Sequence, residues 1–310
     1  MKTLKYNLSY KWFELKKNLK RCGGLYLLVL APIITVFIFH YIPIAGVQMA
    51  FRDYSTRLGM WDSPWAGLKY FKKFIEYPYF GQIMWNTIRI SLYSLATFPF
   101  PVLFALMLNE LKNLKFKKTV QTLTYAPHFV STVVTCSMVL LFLKRDGLIN
   151  VIITAFGGEA SDIISDPGLF ALICAVSALW QGLGWGTIIY MAALSGISSE
   201  LIEAAKIDGA GRLRIIWHVN LPHLKPTIIT LFIMNLGKMM SVGFEKIFLL
   251  QNDLNLEASS IVSTFVYEMG IVNGNYSYSA AIGLFNNIIN VILVVSANMI
   301  SKKLAKVSLW

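Results

Sequence analysis

Hydrophobic positions in this chain gather in six long runs, 25–47, 87–109, 122–143, 169–194, 226–250 and 280–300, with polar stretches between them. Each run has the roughly 20 mostly apolar residues that an α-helix needs to cross about 30 Å of hydrocarbon. In a bilayer, backbone N–H and C=O groups must be paired inside the protein, so the pattern predicts an all-α, polytopic membrane protein of six spans. Pro127 and several glycines make the third and fourth runs the least regular. The longest segment between spans is 48–85, so no soluble domain fits. The chain divides into an N-terminal segment 1–24, a membrane domain 25–303 and a tail 304–310.

Composition supports this class. Hydrophobic residues are 56% of the chain and charged ones 14%, outside the usual range of soluble domains. The net charge of +12 does not point to nucleic acid, because the basic residues are unevenly distributed. They crowd the N-terminus (Lys2 to Arg21), the segment after run two (Lys112, Lys115, Lys117, Lys118), the 195–225 segment and the C-terminal end, whereas 251–279 has no Lys or Arg. By the positive-inside rule both termini and the 195–225 loop are cytoplasmic, with anionic lipid headgroups beside the basic patches. Run one has a basic start but is too long for a cleaved signal and lacks an Ala-x-Ala site, so it reads as an uncleaved span. Trp12, Phe13, Leu15 and Leu19 amid lysines in 10–20 suit a helix lying on the inner membrane surface; a basic tail is the other reading. Cys22, Cys136 and Cys174 show no pairing pattern and read as free thiols.

The segment between runs four and five is the most informative part of the chain. Ser198 or Ser199 can cap a helix start, Glu200 suits its positive end, and Gly209 is a natural left-handed stop, predicting a short helix over 199–207. Asp208 can cap a second helix with Leu213, Ile216 and Trp217 on one face, ended by Leu221-Pro222. From spacing alone this is either a helical hairpin packed on its own bundle or a docking element. The run Glu203-Ala204-Ala205-Lys206-Ile207-Asp208-Gly209, with Val219-Asn220-Leu221-Pro222 after it, resembles the EAA loop of binding-protein-dependent ABC importers, departing from that signature only in Val219 for Ile. Three further segments extend the resemblance to sugar-importer permeases over nearly the whole chain: His40-Tyr41-Ile42-Pro43, Ala50-Phe51-Arg52-Asp53-Tyr54 and Trp65-Ala66-Gly67-Leu68-Lys69-Tyr70-Phe71. Met240 to Leu250 is similar to run five in permeases of oligosaccharide importers, although Lys238 stands where a neutral amide is expected.

Polar residues inside the runs are the candidates for a substrate pathway, since an ionisable or amide group in hydrocarbon faces a cavity or a partner helix. On a continuous run-five helix Lys238 and Glu245, seven residues apart, would share a face within about 20° and lie roughly 10 Å apart along the axis. Gly237 and Gly243 would allow close approach of backbone or ligand. In run four three glycines around Gln181 and Trp185 weaken the helix, and Gln181 needs a hydrogen-bond partner. Run six places Asn286 and Asn290 one turn apart. Amides with aromatics suit hydroxyl-rich substrates; they also serve to hold helices together, and both readings stand.

No phosphate-binding G-x-x-x-x-G-K-S/T loop, H-E-x-x-H, C-x-x-C or G-x-S-x-G motif occurs, so no catalytic or metal-ligating residues are assigned. The resemblance implies the six-span type I importer permease fold in the cytoplasmic membrane. It implies a second homologous permease, two ATP-binding subunits holding ATP and Mg, and an extracellular substrate-binding protein, with no cofactor on this chain. It also implies that Glu203, Ala204, Ala205, Asp208, Gly209, Leu221 and Pro222 couple the permease to the ATPase, and that the substrate is an oligosaccharide or related sugar. A permease for peptides or amino acids, and a membrane enzyme acting on lipid-linked sugars, are the alternatives.

Overall fold

A computed structural model describes residues 21–241 and 243–309; the expected surface helix over 10–20 lies outside them. Among the described residues four continuous helices are both long and apolar enough to cross a membrane, and each corresponds to a run in the sequence: α1 (Arg21–Phe51) to run one, and after the short outer helix α2 (Lys69–Ile75), α3 (Phe80–Asn109) to run two. Run three begins in α4 (Leu114–Phe129) and continues, after a bend of 100°, in α5 (Thr132–Leu143); α6 (Leu148–Ala155) follows beyond the run. α7 (Phe170–Ser195) is run four and is followed by α8 (Ser199–Ile207). Run five is split between α9 (212–236) and α10 (Phe244–Leu250), and α11 (Val262–Val272) precedes α12 (Tyr276–Ala305), run six. Apolar side chains on α1, such as Leu27 at 71% and Phe39 at 69% exposure, face outward as expected where the solvent is lipid.

Both irregular runs have local causes. In run three Pro127 falls in a 3₁₀ turn, Ala126–Phe129, after which Val130 is extended and the Ser131 hydroxyl accepts from Val134 N to start a new helix. In run five Gly237, Ser241 and Gly243 are weak helix formers, and the helix gives way to turns from 237 to 241. The expectation of an unbroken run-five helix is therefore corrected, and Lys238 and Glu245 lie on a non-helical segment and on a separate helix. By contrast, α7 passes unbroken through Gly182, Gly184 and Gly186. There glycine provides room rather than a break: a Cβ on Gly184 would overlap the Thr124 backbone and the Tyr125 ring, and one on Gly186 would touch Pro101 at 3.4 Å.

Three buried clusters follow one another along the bundle. At the end carrying the 52–79 segment, Phe74, Ile83, Phe265, Tyr278 and Ile282 pack together, with Phe74 edge-on to Phe80 and Phe285. The middle holds Ile90, Cys136, Phe170, Cys174, Ile247 and Ile261. The end nearest α8 holds Val102, Leu106, Tyr190, Leu194 and Leu224. α3 and α7 thus run in the same direction, packed against each other, and α9 returns alongside α7 and α12. At the first end Asp53 accepts from Lys69 Nζ at 2.8 Å and from the Tyr70 hydroxyl at 2.7 Å. The Lys69 bond, then the Tyr70 bond, hold its carboxyl below the usual carboxylate range.

Gly184→Ala is expected to destabilise the protein by about 1–3 kcal/mol, because the new methyl meets backbone that cannot yield. Gly182→Ala, two residues away and with nothing within 4 Å of its Cβ position, is expected to be neutral or slightly stabilising. Thermal unfolding of the two purified variants checks this; equal melting temperatures would contradict the packing described.

Candidate functional site

The loop between runs four and five begins with Ser198, whose hydroxyl accepts from Glu200 N at 3.2 Å and starts α8 over Ser199–Ile207, the expected span. α8 ends as Gly209 turns left-handed, at φ +75°, while Gly209 N donates to Lys206 O and Ala210 N to Ala205 O. Glu203 and Asp208 are exposed. Asp208 is the last residue of this turn and caps nothing after it: the next helix starts behind Gly211, without a side-chain cap, at Arg212. Leu221-Pro222 also fails to end that helix. A π turn over Ile216–Asn220 precedes it, the wider turn accommodates the proline ring, and α9 runs on to Leu236. Of the expected apolar face, Leu213 and Trp217 are exposed at 82% and 67%, and Ile216 turns inward against the cluster around Tyr190 and Leu224.

Polar residues of runs two, three, four and five converge on one trough. Recesses of about 450, 240 and 480 Å³ open side by side and share Ala178 of α7 as a common wall. α3 contributes Ser91, Ser94 and Thr97 to the first recess, and run five contributes Asn235, Lys238 and Ser241. Glu245 and Lys246 line the second; Lys246, Gln181, His128 and Thr132 line the third. Gln181 Nε2 donates to Val130 O at 3.0 Å, closing the bend of run three, and its Oε1 accepts from Lys246 Nζ at 3.1 Å. Trp185 is half exposed beside the trough, stacked on His128 at 4.4 Å between ring centres.

Asn286 and Asn290 lie behind this trough and do not line these recesses. Asn290 Oδ1 accepts from Met240 N at 3.0 Å, its Nδ2 donates to Ser241 Oγ at 2.9 Å, and Asn286 Nδ2 donates to Met240 O at 3.0 Å. The Ser91 hydroxyl donates to Met239 O from the α3 side. Together these side chains replace the helical bonds that run five gives up. Of the two glycines, Gly237 is closely approached, its Cβ position overlapping Val294 of α12, whereas Gly243 is open.

A family model described as "Binding-protein-dependent transport system inner membrane component" matches residues 97–306, more than half of the chain. The chain belongs to that family. Among curated proteins this permease is 43% identical to Protein LplB of Bacillus subtilis (strain 168), over 92% of this chain and 90% of that protein. It is 41% identical, over 92% and 90% respectively, to the polygalacturonan/rhamnogalacturonan transport system permease protein YteP of the same organism. A chain of a bacterial alginate ABC transporter, solved with its alginate pentasaccharide-bound periplasmic protein, superposes with a TM-score of 0.85 at 34% identity, covering 94% of this permease and 99% of that chain.

Sequence reasoning singled out Lys238 and Glu245 and missed Lys246, which makes the contact to Gln181. The signal was present, as a lysine within an apolar run, but a continuous helix was assumed and the break turns the three residues differently. Ser91 was missed because a serine can always bond to its own helix, and Ser91 does also donate to Thr87 O at 2.6 Å. Asn290→Leu is expected to lower stability by about 1–3 kcal/mol, since Met240 N would be left buried without an acceptor. Lys238→Gln, at an exposed position, is expected to leave it within about 0.5 kcal/mol. Thermal unfolding in detergent separates them, and equal shifts would contradict the role given to Asn290.

Proposed function

We propose that this permease carries an oligosaccharide or related sugar across the cytoplasmic membrane by alternating access, driven by ATP hydrolysis on separate subunits. The observation that carries the reading is the loop at 195–225. It is a capped helix turned at a left-handed glycine, and it presents Leu201, Ile207, Leu213 and Trp217 to solvent from a polar segment. Exposed apolar side chains gathered beside basic residues mark a docking surface. In this reading Glu203, Ala204, Ala205, Asp208 and Gly209 seat the loop on the ATPase, and Leu221 and Pro222, inside α9 just after its π turn, carry the loop's position into the bundle.

The sugar is supported by relatives named for polygalacturonan/rhamnogalacturonan, arabinooligosaccharides and alginate, and by a trough whose walls carry hydroxyls and amides. The assembly contains a second homologous permease, two ATP-binding subunits holding ATP and Mg, and an extracellular substrate-binding protein. Both termini face the cytoplasm, next to anionic lipid. Gln181, Trp185, Lys238 and Glu245 border the pathway, and Asn286 and Asn290 shape it from behind.

Gly209→Asp tests the coupling role. A side chain at φ +75° costs about 1 kcal/mol, and the added charge would meet the ATPase surface. The variant is expected to insert at normal yield and to lose most ATP-driven uptake, whereas Gly209→Ala keeps most of it. Assembly and transport at the wild-type rate in Gly209→Asp would overturn the docking role. Cysteine labelling is expected to find 251–279 reachable from outside and 196–225 reachable only from the cytoplasm, and the reverse would overturn the orientation.

A further inference from the structure

An ammonium group at membrane depth is expensive unless something compensates its charge. Lys246 on α10 is half-buried, and among the described residues its Nζ makes one hydrogen bond, to the neutral Gln181 Oε1 at 3.1 Å. The carboxylates that form ion pairs among the described residues are Asp53, Glu76 and Asp146, none of them with Lys246. Even its chain neighbour Glu245, exposed on the wall of the adjoining recess, does not pair with it. The Gln181 amide cannot turn to offer anything better: its nitrogen is committed to Val130 O at 3.0 Å, which fixes the oxygen toward Lys246. An ammonium carries three donors, so two are left at the wall of the 480 Å³ recess. His128 and Phe129 line that same recess, and the His128 ring is held by stacking on Trp185.

We infer that Lys246 is the residue of this permease that recognises a sugar carboxylate, so that the transported oligosaccharide contains uronic acid. The inference rests on the sugar-permease reading above. The ammonium supplies the charge-assisted donors that a carboxylate accepts, and the aromatic wall offers an apolar face to the C–H side of the same pyranose ring. A neutral oligosaccharide offers the ammonium no counter-charge, so the site selects against it.

The test uses proteoliposomes holding the complex purified with its partner permease, ATPase subunits and binding protein. The probes are oligogalacturonide, oligoalginate and aldouronic oligosaccharides, each beside its carboxyl-reduced counterpart. Wild type is expected to take up at least one acidic member faster than its reduced form. Lys246→Gln is expected to lower kcat/KM for that member about tenfold or more while changing uptake of reduced forms less than about threefold, and Lys246→Arg to keep most of the acidic uptake. Because all variants share one binding protein, the difference reports on the permease. Equal losses for acidic and reduced sugars, a wild-type preference for the reduced forms, or failed assembly of both variants would overturn the inference and assign Lys246 to helix packing. Wild-type uptake of neutral sugars alone would sink this inference and leave the sugar reading standing; uptake of no sugar at all would sink both.

Discussion

Broken helices inside a membrane need replacement partners for every backbone group they release, and the architecture of this permease is organised around meeting that requirement at residues 239–241. In hydrocarbon an unpaired N–H or C=O has no water to turn to. Here two asparagines on α12 and a serine on α3 bind the freed groups of run five from opposite sides. Because the break is held from both neighbours, the polar residues after it are presented at a fixed place instead of on a frayed end. The same solution recurs at the bend of run three, where Gln181 binds Val130 O.

These two repairs turn a set of apolar helices into a site. A continuous run five would place Lys238 and Glu245 on one helical face and turn Lys246 away from both. Interrupting it lets Lys246 reach Gln181, so the side chain that closes one irregular segment also receives the cation delivered by the other. Trough and bundle are therefore not separable: residues that look like helix glue set the shape of the cavity, and the residues of the cavity tie the helices.

Much of this was legible in the sequence, for physical reasons. Runs one, two, four and six show as helices because length and apolarity alone decide a span. α8 could be placed to the residue, since Ser198 and Gly209 are strong local signals that need no tertiary partner. The failures share a different cause. Asp208, Pro222 and the glycines of α7 were read by their local preferences, and in each case packing decided otherwise. A π turn made room for Pro222, Gly211 started the helix Asp208 was expected to cap, and Gly184 served close contact with Thr124 and Tyr125. Asn286 and Asn290 were recognised as a pair on one face, but no sequence pattern says that they bond to Met240 and Ser241, residues roughly fifty positions away.

The π turn at Ile216–Asn220 has a mechanical consequence. Had the helix stopped at Leu221-Pro222, the loop on α8 and the break at 237 would be joined by a hinge, and motion at one would dissipate before reaching the other. Instead 212–236 is continuously helical, roughly 37 Å long at about 1.5 Å per residue, with the loop at one end and the trough at the other. A tilt of about 10° about one end would carry the other through roughly 6 Å, a distance comparable to one turn of helix. Leu224, fully buried partway along this helix, ties it to Tyr190 and Leu194 of α7, so the loop end and the trough end are anchored on the same neighbour.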